Sequence, residues 1–165
     1  MSAGAAELTF NIVEGRLNGL IDGVFINSVA HSGGRGGSKT PGVQAYFLDN
    51  NPFATGVKLK KGDKASIGGT LPMGSYTLSI HETRPNMIRL TPVSTGATNR
   101  DGLLIHGRGK RGSDGCIVPS DFHVVLKLCE LVKARQLHAQ PPIVLDVIAV
   151  GSNVDRKLRE WRSTA

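Results

Sequence analysis

Near the start of the chain, Leu8, Phe10 and Ile12 alternate with polar neighbours, the two-residue period of a strand buried on one face. The same period returns in "GSYTLSIHET" and, beyond a turn at "RPN", in "MIRLTPV", which predicts a β-meander. "GVFINSVAHSGG" predicts another strand, running into a glycine-rich loop from Gly33 to Gly42. Gly15, Asn18-Gly19 and Asp22-Gly23 punctuate the chain before it, and Asn-Gly is a strong hairpin signal. Residues 43–70 are hard to assign to elements, and the expectation there includes a long irregular loop. "GLLIHG" predicts a strand ending at His106.

The period then changes. In "PSDFHVVLKLCELVKARQ" the apolar positions 122, 125, 126, 129 and 132 recur at helical spacing, with Ser120 placed as N-cap and Asp121 at the positive helix end. "PPIVLDVIAV" predicts a buried strand and "SNVDRKLREWRS" a short charged helix. These elements define a mainly β fold, a β-rich α+β sandwich or barrel with one core helix and a short C-terminal helix. A length of 165 residues suits one domain with a real core. No internal repeat or low-complexity linker divides it, so residues 1–165 form one domain. Residues 8–150 carry its body and 151–165 a basic tail helix.

Charge narrows the partners. A formal charge of +7 favours an anionic partner such as nucleic acid, acidic lipid or carboxylate-rich cell wall. Nucleic acid is disfavoured: aromatics are only 5%, too few for a stacking platform, and no zinc-finger, basic-zipper or RNA-binding signature is present. The cationic residues are dispersed, with Lys58, Lys60, Lys61 and Lys64 about one turn and Arg156, Lys157, Arg159 and Arg162 near the C-terminus. A solvated face accounts for most of them. No window is long and apolar enough for a membrane span, and the N-terminus lacks the pattern of a signal peptide. Synthesis in the cytoplasm is the expectation.

Chemistry concentrates in "LLIHGRGKRGSDGCIVPSDF", residues 103–122. A nucleophilic thiol must be a thiolate, so it needs a base and a backbone that presents sulfur. Gly115 permits an unusual dihedral just before Cys116, and the N–H groups of Gly115 and Cys116 are candidates to stabilise an oxyanion. His106, on the end of a rigid strand, is placed as the base, oriented by Asp114 or by a backbone carbonyl. Arg108 in the connection suits a substrate carboxylate. Cys129, mid-helix among Leu and Val, reads instead as a small buried hydrophobe. The five histidines show no metal-ligand spacing, so neither metal nor other cofactor is expected.

The pair "IHG…SDGCIV" resembles the signature of the L,D-transpeptidase catalytic domain, in which His-Gly precedes Ser-x-Gly-Cys. "AHSGG" at 30–34, "GGTLPMGSYTLSI" at 68–80, "RLTPV" at 89–93 and "GLLIHG" resemble, in order, landmarks of the L,D-transpeptidase-like effectors injected through the type VI secretion system. The likeness covers about residues 8–150. It departs at His31, where an aromatic is common, and at Thr70, which replaces the first proline of a Pro-x-Pro element. Ile117, Val118 and Pro119 also stand where wall-building members carry a basic residue.

The resemblance implies Cys116 as nucleophile and His106 as base, acting on the tetrapeptide stems of peptidoglycan. Gly107, Ser113, Asp114 and Gly115 would support the turn, and Ser32, Gly33 and Arg108 would contact substrate, although a plain turn role serves Ser32 and Gly33 equally well. It further implies secretion into the periplasm of a target bacterium, with type VI secretion components and a cognate periplasmic immunity protein as partners. Two alternatives stay open from sequence. One is a Cys-His peptidoglycan endopeptidase or amidase; the other is a basic cell-wall-binding module in which Cys116 is incidental.

Overall fold

The computed structural model describes residues 6–33, 50–53, 55–61, 64–93, 103–107 and 116–162, with side chains omitted for 55–61, 64–69 and 161. The strands in chain order are β1 (Leu8–Asn11), β2 (Arg16–Ile21), β3 (Val24–His31), β4 (Thr55–Lys61), β5 (Lys64–Gly69), β6 (Gly74–Ile80), β7 (Ile88–Pro92), β8 (Leu104–Ile105), β9 (Val118–Pro119) and β10 (Val144–Ile148). Two helices accompany them, α1 (Phe122–Leu137) and α2 (Val154–Arg162). The fold is mainly β, as expected. Eight strands form a nearly closed, barrel-like sheet, with one core helix and a short C-terminal helix.

The sheet order is β8-β7-β6-β10-β1-β2-β3-β9. Only β1 and β10 run parallel among the laddered neighbours, Leu8 facing Leu145 and Phe10 facing Val147. The alternation read in the sequence is the burial pattern observed. Leu8, Phe10, Leu17, Ile21, Ile26, Tyr76, Leu78, Ile88, Leu90 and Leu145 face one interior. α1 adds Val124, Val125, Leu128, Cys129 and Val132 to the same core. At about 25 cal/mol per Å² of apolar surface removed from water, this interior is the main stabilising term of the fold.

Three local expectations are corrected. The hairpin turn between β2 and β3 lies at Asp22-Gly23, both with positive φ (49° and 78°), while Asn18-Gly19 sits inside β2. Gly19 is there because the carbonyl of Glu7, the residue just before β1, lies where its Cβ would be. The helix is capped by Asp121, whose Oδ1 accepts from the His123 N–H at 2.9 Å, not by Ser120. Ser120 instead extends the β9–β3 pairing, donating its N–H to the Val29 carbonyl. Within 43–70, where an irregular loop was expected, β4 and β5 form a separate two-stranded antiparallel pair with a register shift near Thr55 and Val57. The two-residue period of these strands is short, Val57 and Leu59 in one and Ala65 and Ile67 in the other, and lysines surround the turn between them.

Among the described residues no helix is long and apolar enough to cross a membrane.

A candidate cysteine–histidine site

The two ends of the eight-stranded sheet meet at one parallel bridge, Ile105 with Ile117. The His106 N–H donates to the Ile117 carbonyl at 3.1 Å, and the Ile117 N–H to the Leu104 carbonyl at 2.9 Å. These bonds form the seam of the barrel. Ile105 and Ile117 are fully buried in the core, as is Ala30 on the far side of β9. Side chains alternate along extended chain, so their neighbours His106, Cys116 and Val118 share the opposite face. His106 lies laterally opposite Val118, two residues along from Cys116. With strands about 4.8 Å apart and a rise of about 3.3 Å per residue, a two-residue offset sets their Cα atoms roughly 8 Å apart.

Cys116 is 6% exposed, yet it lies outside the contiguous apolar cluster that contains Cys129. Neither cysteine forms a disulfide. Cys129 behaves as a core residue: burial pushes its thiol up, and nearby Lys133 only partly opposes this.

His106 is half-buried. Its Nδ1 lies 3.3 Å from the Gly107 carbonyl. A carbonyl only accepts, so this long contact favours the proton on Nδ1 and leaves the Nε2 lone pair to act as base. The ring lines a pocket of about 140 Å³ with Pro85, Asn86, Met87, Gly107 and Phe122. Cys116 is not among the described lining residues, so the pocket opens on the histidine. Gly107 has a packing reason to be glycine: an added Cβ would collide with the Phe122 ring at the start of α1. The glycine after the histidine thus lets the core helix close against the seam.

Ser32 and Gly33 are at the end of β3. Ser32 is fully buried; its Oγ accepts from the Leu71 N–H at 2.8 Å, and its N–H donates to Asn50 Oδ1 at 2.9 Å. Gly33 follows with φ 76°. Thr70, which stands where the resembled element has proline, donates its hydroxyl to the Asn51 carbonyl at 2.7 Å. Together these bonds brace the end of β3 against the segments at 50–51 and 70–71, and Asn51 Nδ2 reaches on to the Lys157 carbonyl of α2. Arg108, Ser113, Asp114 and Gly115 lie outside the described residues.

One residue on this face was not singled out in the sequence as a candidate. His31 pairs directly with Val118, so His31 and His106 flank Val118 from its two sides on the same face as Cys116. The pairing joins residues 87 positions apart, and no local pattern announces it. No group of three or more metal-ligating side chains occurs among the described residues.

No protein-family model, curated protein or solved structure matched the chain when it was compared with each.

Proposed function

We propose that the protein is a cysteine acyl transferase and hydrolase of peptidoglycan, with L,D-carboxypeptidase and L,D-transpeptidase activity on tetrapeptide stems. One observation carries this reading: the closure of the barrel sets His106 and Cys116 on neighbouring extended segments, on one face, two residues out of register. The ordered motifs that resemble L,D-transpeptidase-like effectors supply the substrate class, and the net charge of +7 suits an anionic wall polymer.

In this mechanism His106 Nε2 accepts the Cys116 thiol proton, and the thiolate attacks the carbonyl of the third stem residue. The tetrahedral intermediate collapses to a thioester as the C–N bond breaks. His106 returns the proton to the departing amine of D-alanine. Water then attacks the thioester to give the shortened stem, or an incoming D-amino acid amine gives exchange; either restores the thiol. Backbone N–H groups at Gly115 and Cys116 serve the oxyanion. On the same resemblance the protein acts as an antibacterial type VI effector in the periplasm of a target cell, countered at home by an immunity protein.

Mass spectrometry of muropeptides incubated with the protein tests this reading. Loss of terminal D-alanine, or its replacement by an added D-amino acid, is expected with the native protein and not with Cys116→Ala. Cleavage at another bond would make it an endopeptidase or amidase. Unchanged stems under reducing conditions would leave a wall-binding module.

A further inference from the structure

The pocket beside His106 does not end at the histidine. It shares Pro85 and Asn86 with a second hollow of about 230 Å³ between the β6–β7 turn and α1, lined also by His81, Glu82, Arg84 and Lys133. Arg84 and Lys133 enter this hollow from different elements, and neither has a carboxylate partner among the described residues. Glu82 does not neutralise them, because its two oxygens are already taken by Arg89 in a bidentate pair at 2.8 Å each.

The hollow is built rather than loose. His81 Nδ1 accepts the N–H groups of Thr83 and Arg84, at 3.2 and 3.0 Å, which fixes the turn. A nitrogen that accepts two N–H bonds carries no proton, so the 3.7 Å approach of Glu82 to it is proximity and not an ion pair. The ring proton sits on Nε2, a further donor. Outside the hollow, Gln136 Oε1 of α1 accepts the Ile80 N–H at 2.8 Å and ties the helix to the end of β6. Two cations that line one hollow with a fixed turn backbone, the local acid already being paired, suit a carboxylate.

We infer that this hollow is a carboxylate subsite, in which Arg84 and Lys133 hold an acidic group of the peptide whose acyl carbon is delivered to Cys116. The inference rests on the proposed function for the identity of the peptide, since a tetrapeptide stem carries free carboxylates beyond the bond that is cut.

The test is binding to Cys116→Ala protein, which needs no turnover. The probes are a labelled synthetic stem tetrapeptide and its fully amidated counterpart, read by fluorescence polarisation. Arg84→Gln with Lys133→Gln is expected to weaken binding of the acidic peptide about tenfold while leaving the amidated peptide unaffected. Lys133→Arg should retain most of the affinity. Both side chains are exposed, and an unchanged melting temperature establishes that the fold is kept. Equal affinity with and without the two cations, equal affinity for the two peptides, or no binding of the acidic peptide at millimolar concentration would each overturn the subsite. Cation-dependent binding without any thioester chemistry in the native protein would instead keep the subsite and overturn the proposed enzyme.

Discussion

At the end of the barrel that carries the β2–β3 turn, the guanidinium of Arg135 makes five hydrogen bonds: two to Glu7, two to Asp22 and one to the Pro141 carbonyl. At the seam, the His106 ring has, among the described residues, one long contact with the carbonyl of its own neighbour. Both groups are polar interruptions of an apolar structure. Arg135 is buried and saturated, joining the last turn of α1 to the chain before β1, the β2–β3 turn and the approach to β10. His106 is half-buried, and among the described residues its Nε2 makes no hydrogen bond. A polar group with every donor engaged stabilises a shape; one with a lone pair left open just beyond a strand end is available for chemistry.

The largest effect that separates the two regions is on activity. His106→Gln is expected to lower turnover of stem peptide roughly 10²–10⁴-fold, the range general-base loss produces, with little change in melting temperature. Arg135→Met should do the reverse. It strands Glu7 and Asp22, and because both carboxylates keep water access the loss is about 2 kcal/mol rather than the larger cost of a fully buried pair. Activity per folded molecule should persist. Urea unfolding together with kinetics on each variant reads both axes, and the comparison breaks if His106→Gln unfolds the protein as readily as Arg135→Met.

The same contrast governs what the sequence could disclose. Strand alternation in residues 8–12 and 74–93 and the helical period of 122–132 are local signals, and they matched the observed β1, β6, β7 and α1. Cys116 and His106 could be singled out as candidates because Ser-x-Gly-Cys and His-Gly are local sequence motifs as well. The Arg135 clamp was not, for its partners lie 113 and 128 residues away. His31 escaped for the same reason, as only the β3–β9 register brings it to the seam. Ser32 had two readings in the sequence, a substrate contact and a plain turn role; neither foresaw its burial and its bonds to Leu71 and Asn50, which lie 39 and 18 residues away.

A smaller effect sharpens the seam itself. Gly107→Ala places a methyl group against the Phe122 ring, an overpacking that costs about 1–3 kcal/mol if the helix start cannot yield. Gly107→Ala should cost less in a Phe122→Ala background, because that substitution removes the Cδ2 and Cε2 atoms that collide. A Gly107→Ala protein as stable as the native one would show that α1 shifts freely at its N-terminus, and the seam would then be less rigid than its hydrogen bonds imply.

The smallest effect compares the two arginine–carboxylate pairings through pH. The Arg89 hydrogen bonds hold the Glu82 carboxyl down at about 2, from an ordinary 4.5, and the Arg135 hydrogen bonds lower Asp22 in the same direction. Each group's pKa is depressed in the folded state, so whatever stability it contributes is fully present above the unfolded value. That contribution is lost as pH falls from there through the folded value, between about 4.5 and about 2 for Glu82. Both carboxylates are solvent-exposed enough for salt to screen them, so the readout is titration and not melting. Carboxyl carbon shifts followed by NMR should place the Glu82 midpoint near 2 and return it toward 4.5 in Arg89→Gln. In Arg135→Met Asp22 should move and Glu82 should not. If Glu82 moved as well, the β6–β7 turn and the Arg135 end would be one electrostatic unit, and the division of labour between the clamp and the seam would fail.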